Sequence, residues 1–147
     1  MKAFVMKEIG QVGFMHKPLP EPGPHDAVVK TTRALICTSD SHTVHGGIGP
    51  RENLTLGHEA VGVVHEVGSA VQVFRPGDCV VVGAITPAGG TRQPRADKTI
   101  ATGLCPGGGR VDPTLMTMHT FSFDEMEQAF EVSDQKLDGV IKPLITF

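Results

Sequence analysis

Apolar positions fall in short, interrupted runs through the first 82 residues. Residues 2–7 and 11–16 are two such runs broken at Ile9-Gly10, which predicts two strands and a hairpin-like turn. Leu19-Pro20-Glu21-Pro22-Gly23-Pro24 cannot be helix or central strand, because three prolines remove backbone donors. A strand follows from Asp26 to Ala34. Ala60-Val61-Gly62-Val63-Val64-His65-Glu66-Val67-Gly68 is a long β-rich run with an internal glycine, as where a barrel strand bends. Val71 to Phe74 leads into the turn Arg75-Pro76-Gly77-Asp78, and Cys79 to Val82 makes the next buried strand. Strands and tight turns packed this closely predict a small β-barrel.

The pattern then changes. Thr86 to Lys98 reads TPAGGTRQPRADK, almost without apolar residues, and is a loop or linker; Cys105 to Arg110 is a second irregular stretch. One helix is well marked near the end. Ser122 as N-cap and Glu125 three residues on form a capping box, and Phe121 with Met126 can form a hydrophobic staple. Met126, Ala129, Phe130 and Ser133 share a face, and the helix should end near Asp134. Gly139 to Ile145 is expected to return to strand. The predicted fold is mainly β (α+β), a partly open barrel with one C-terminal helix.

Composition supports this and narrows the chemistry. Eighteen glycines and eleven prolines in 147 residues suit short strands and tight turns, in one domain with its own core. Thirteen basic and sixteen acidic side chains leave a net charge of −3 without a run of one sign, so nucleic acid and acidic membranes are poor partners. Trp and Tyr are absent, which removes the usual stacking platform for single-stranded nucleic acid. No window approaches a membrane span of roughly 20 apolar residues. The start, Met1-Lys2-Ala3-Phe4-Val5-Met6-Lys7-Glu8, reads as a strand and not a signal peptide, so a cytoplasmic location is expected. Cys37, Cys79 and Cys105 form no CxxC pair, which argues against a disulfide framework or a four-cysteine zinc lobe.

Cys37 and, twenty residues later, His58-Glu59 are the candidate metal ligands. A thiolate, an imidazole and a carboxylate are the donors zinc accepts in catalytic sites, where one position stays open. Adjacent residues on an extended chain face opposite ways, so His58 and Glu59 can both ligate only at an irregular turn, which Gly57 permits. By themselves the three residues also fit a buried cysteine and a surface His–Glu pair.

Gly57-His58-Glu59-Ala60-Val61-Gly62-Val63-Val64-His65-Glu66-Val67-Gly68 resembles the zinc signature of medium-chain alcohol dehydrogenases, GHExxGxxxxxG. Cys37-Thr38-Ser39-Asp40-Ser41-His42-Thr43-Val44 resembles the first-ligand segment of the bacterial and protist NADP-dependent secondary-alcohol dehydrogenases in that family. Pro76-Gly77-Asp78-Cys79-Val80, Leu104-Cys105-Pro106-Gly107-Gly108 and Ile141-Lys142-Pro143 match further segments. The likeness covers about residues 1–87 and 98–147.

The resemblance implies a GroES-like catalytic domain with zinc on Cys37 and His58, and Glu59 as an inner-sphere or exchanging ligand. Ser39 would sit beside the metal-bound oxygen and His42 would pass its proton towards solvent; the plain alternative for His42 is a loop histidine without a role. His16, His25, His45, His65 and His119 receive none, although His45 lies near the relay in sequence. The implied reaction is reversible hydride transfer between a small secondary alcohol or ketone and NADP or NAD.

Two departures stand beside these matches. No GxGxxG follows a strand, so no nucleotide-binding motif is present, and residues 88–97 read as a linker where the family carries its Rossmann domain. The expected organisation is one GroES-like domain over 1–147. The family's third protein ligand belongs to the stretch missing after Pro87, and a family helix between Arg110 and Val111 is also missing. Independent turnover is therefore in doubt. A zinc-binding scaffold without redox chemistry, or slow ester hydrolysis at an open metal, remain as other readings. An uncovered apolar face could drive homo-oligomer formation.

Overall fold

A computed structural model describes residues 1–83, 117 and 119–147; the predicted linker 88–97 and the stretch Cys105–Arg110 lie outside the described residues. Strand β1 (Lys2–Glu8) pairs antiparallel with β2 (Gln11–His16), and Gly10 at φ 77° turns the chain between them. β1 also pairs with the two-residue β4 (Leu54–Thr55), giving a three-stranded sheet of order β2-β1-β4. The second sheet has five strands. Its centre is β3 (Ala27–Leu35) against β5 (Glu59–Val67), flanked by β6 (Cys79–Val82), β8 (Leu144–Thr146) and β7 (Thr120–Ser122) in the order β6-β5-β3-β8-β7. All pairings are antiparallel except β7 with β8.

The mainly β expectation holds, with two open sheets and two α-helices among the described residues. Phe4 and Met6 of β1, Ile145 of β8, and Ile36, Val44, Ala129 and Phe130 form the buried core. Ala129 and Phe130 belong to the predicted helix, α2 (Met126–Asp134), which ends where expected. Its entry is a 3₁₀ turn over Phe123–Glu125. There the Ser122 backbone N–H and hydroxyl both donate to Glu125 Oε2, at 2.8 and 2.7 Å. Those two bonds, the backbone one foremost, hold the exposed Glu125 carboxyl below its ordinary pKa.

Three expectations need correction. The helix α2 is not the only one: Thr38–Val44 forms α1, so His42 lies on a helix and not in a loop. The return to strand is later and shorter than the expected 139–145. Lys136, Asp138 and Gly139 have φ of 52°, 52° and 65°, a left-handed backbone that no strand continues, and Pro143 has no N–H to give. Residues 71–74 carry no strand; the edge pairing resumes only at Cys79.

β7, α2 and β8 make a single βαβ unit. At its helix entry, where such a unit would offer N–H groups to a phosphate, stand the carboxylates of Asp124 and Glu125.

Candidate metal centre

The sheet register brings three distant segments to one edge. Leu35, the last residue of β3, pairs with Glu59 on one side and Leu144 on the other. Cys37 follows two residues after Leu35, His58 precedes Glu59, and Lys142 lies two residues before Leu144. One row of paired residues thus gathers the Cys37, His58-Glu59 and Lys142 segments. Gly57, at φ 103°, makes the irregular entry to β5 that lets both His58 and Glu59 turn the same way. The result is compact: one donor atom each from Cys37, His58 and Glu59 all lie within 4.8 Å of one another. All three are half-buried.

Asp40 organises this cluster from below. It is buried at 5% exposure, in α1, and its two oxygens are divided between the two ligand segments. Oδ2 accepts from the Cys37 backbone N–H at 3.0 Å, closing the cap of α1. Oδ1 accepts from the Gly57 N–H at 3.2 Å and lies 3.3 Å from His58 Nδ1. A carboxylate beside Nδ1 favours the tautomer with its proton there, leaving Nε2 the lone pair. Ser39 Oγ is 3.0 Å from Nε2 and can donate into it. The other proposed relay member, His42, is exposed and stands one turn further along α1.

Glu59 is held from the opposite side by a hydrogen-bonded ion pair with the Lys142 ammonium. Burial pushes the Glu59 carboxyl up, but the Lys142 bond and charge, a bond from Cys37 and the His58 charge outweigh it and leave the carboxyl below its ordinary range. The sign of the consequence follows. A lowered folded-state pKa contributes stability above the ordinary carboxylate pKa, and the contribution is lost as pH falls through the folded value. In the metal-free protein, Lys142→Gln is expected to raise the Glu59 midpoint and move the onset of acid unfolding to higher pH. Carboxyl-carbon NMR titration checks the first and circular dichroism the second; an unmoved Glu59 midpoint would contradict the pairing.

Asp40 and Lys142 were not among the sequence-derived candidates. The Cys-x-x-Asp spacing of a capping box was available for Asp40, whereas nothing local in sequence links Lys142 to a glutamate 83 residues away. His45 belongs to a different cluster: its Nδ1–H donates to the Ser41 carbonyl at 2.8 Å, 3.6 Å from Asp134, which accepts from Ser41 Oγ. His119 pairs with Asp138 at 2.9 Å, remote in sequence from the ligands.

The donor set fits zinc. It offers sulfur, nitrogen and oxygen, a carboxylate-backed imidazole, and partial exposure that leaves an approach open.

Comparison with known proteins identifies the family. Residues 23–121 match the family model of the alcohol dehydrogenase GroES-like domain. An NADP-dependent isopropanol dehydrogenase of Thermoanaerobacter brockii is 59% identical over 88 residues, 59% of this chain and 25% of its own. The enzyme of the same name from Entamoeba histolytica is 44% identical over 109 residues, 74% of this chain and 30% of its own. Among solved structures, the apo form of zinc dependent alcohol dehydrogenase 2 from Streptococcus pneumonia superposes with a TM-score of 0.57 at 28% identity. That alignment covers 76% of this chain and 32% of the other. The chain spans about a quarter to a third of the length of the curated relatives it matches. It belongs to the alcohol dehydrogenase GroES-like domain family, the catalytic-domain family of the medium-chain zinc dehydrogenases.

Proposed function

We propose that this chain is the substrate-side, zinc-holding domain of an alcohol dehydrogenase acting on a small secondary alcohol or ketone. The convergence of Cys37, His58 and Glu59 over the buried Asp40 carries the reading. Cys37 and His58 would hold the metal, with Glu59 as a further carboxylate donor that is otherwise paired with Lys142. Bound there, zinc supplies Lewis acidity towards an alcohol or carbonyl oxygen. Asp40 keeps His58 in one tautomer and orientation. The Ser39 hydroxyl would take the alcohol proton as it releases its own towards His42, which is exposed on the same helix and gives a proton to water.

NADP, which the Thermoanaerobacter and Entamoeba relatives carry in their names, is the nicotinamide expected, with NAD the lesser choice. Neither has a recognisable motif in this chain. Hydride transfer needs the nicotinamide near attack distance, and without that positioning the rate falls by many powers of ten. Residues 88–97 act in this reading as a linker replacing the nucleotide-binding domain, within one domain over 1–147. No described helix is long and apolar enough to cross a membrane; a cytoplasmic setting is part of the proposal.

The test is ketone formation from 2-propanol by zinc-loaded protein, quantified by gas chromatography with NADP, with NAD and with neither. Cys37→Ala is the blank. Ketone that depends on NADP and vanishes in Cys37→Ala is the expected sign of an enzyme domain. Ketone formed equally by wild type and blank would contradict the assignment, and no ketone from folded, zinc-loaded protein would make the chain a metal-binding scaffold without turnover. Ester hydrolysis at the same metal would release p-nitrophenol in wild type and not in Cys37→Ser.

A further inference from the structure

The ring of His58 stands between two neighbouring residues of α1. Ser39 Oγ lies 3.0 Å from Nε2, and Asp40 Oδ1 lies 3.3 Å from Nδ1. Exposure falls along this line: Ser39 is exposed, His58 half-buried and Asp40 buried. A hydroxyl open to solvent, an imidazole behind it and a buried carboxylate that sets the imidazole's tautomer form the constellation of a hydrolytic triad. That constellation arises on unrelated folds and is recognised by geometry and role, not by order in the chain. The relay described above runs from Ser39 to His42 and leaves the contact between Ser39 and His58 without a task.

We propose that the metal-free domain hydrolyses small activated carboxylic esters, with Ser39 as nucleophile, His58 as base and Asp40 as the positioning residue. Ser39 Oγ bonds to the ester carbonyl carbon as its proton passes to His58 Nε2. The bond from that carbon to the leaving oxygen breaks, and the leaving alcohol departs with the proton. Water then attacks the acyl-serine, its proton passing through Nε2 to Ser39 Oγ as the acyl bond breaks. The products are one carboxylic acid and one alcohol or phenol. Aryl acetates are the class expected, because Ser39 is exposed and a small ester with a good leaving group reaches it from solvent without a deep pocket. The activity needs neither zinc nor nicotinamide and is independent of the function proposed above.

The experiment is p-nitrophenol release from p-nitrophenyl acetate by the full chain, in a chelator that strips zinc and keeps metal from the Nε2 lone pair. Ser39→Ala and His58→Gln should each lower the release at least about 100-fold, the lower end of what a positioned base contributes. Thr38→Ala, which removes the exposed hydroxyl next along the chain, should leave it unchanged. Asp40→Asn should lower kcat at least about tenfold with KM unchanged, a split that loosened packing would not give. A fluorophosphonate should label Ser39, fluoride leaving as Oγ bonds to phosphorus, and peptide mass spectrometry reads the labelled residue. Circular dichroism in the chelator confirms that every protein compared is folded. No release, equal release from wild type and Ser39→Ala, an unchanged kcat in Asp40→Asn, or a label on Cys37 in place of Ser39 would overturn the proposal. Release that requires added zinc would overturn it too and assign the hydrolysis to the metal. None of these outcomes alters metal uptake or ketone formation, so the zinc assignment stands or falls separately.

Discussion

Asp40→Ala is expected to weaken metal binding 10- to 100-fold and to destabilise the metal-free protein by about 2–5 kcal/mol. The two effects share one cause. The buried carboxylate accepts the N–H groups of Cys37 and Gly57 and backs the His58 ring, so its removal leaves two donors without partners at the positions that aim the ligands. Both bonds are part-buried, and each donor left without its acceptor costs about 1–3 kcal/mol. Asp40→Asn keeps one acceptor oxygen but presents an amide N–H₂ to the other donor, so it should fall between wild type and Asp40→Ala. Urea unfolding reads the stability and competition with a chelating dye reads the affinity. Metal affinity within threefold of wild type would show that Asp40 serves α1 alone.

Gly68→Ala should destabilise the fold by at least about 3 kcal/mol, a loss of roughly 10 °C in Tm. An added Cβ would lie 1.9 Å from the Gly23 carbonyl oxygen and 2.5 Å from that of Pro24. Backbone atoms cannot step aside as a flexible side chain can. Moving them would also strain the Gly68 N–H bond to the Asp26 carbonyl. Gly77→Ala is the matched control. It has φ 98° and no atom within 4 Å of the added Cβ, so only the left-handed backbone is penalised, by about 1–2 kcal/mol. Thermal unfolding that ranks the two equally would contradict the steric account.

Gly68 is the last position of GHExxGxxxxxG, residues 57–68, whose glycines and polar residues have different tasks. His58 and Glu59 are the proposed donors, while the glycines serve geometry. Gly57 supplies a positive φ at the ligand turn. Gly62 lets β5 approach β3, where a Cβ would meet the Lys30 carbonyl oxygen at 2.4 Å. Gly68 admits the proline-rich loop.

The longer strands and α2 were legible because their signals are local: apolar runs bounded by Gly and Pro, and Ser122 with Glu125 ahead of an amphipathic face. α1 was missed because TSDSHTV has weak helix formers and no apolar stripe; its stability comes from the Asp40 cap and from Val44 in the core. The late start of β8 depends on left-handed residues at Lys136 and Asp138, a conformation their side chains do not advertise. At the site, type and spacing alone left Cys37, His58 and Glu59 open to a plain reading, and it was the resemblance of their segments to GHExxGxxxxxG and its partner segment that singled them out. The Lys142 partner of Glu59 is created by the pairing of β8 with β3, and register between strands so far apart in the chain, as Leu35 is from Leu144, is not written in either strand alone.

Cobalt(II) titration of the full chain, followed by thiolate-to-metal charge transfer and visible ligand-field absorption, tests the central claim most directly. The account predicts one weak site with tetrahedral-type bands. Its thiolate band should vanish in Cys37→Ser, and zinc should be held below one equivalent after dialysis against a mild chelator, because among the described residues only Cys37, His58 and the Lys142-paired Glu59 come together as donors. No thiolate band in the folded wild type, or a band unchanged in Cys37→Ser, would show that these residues do not form a metal centre.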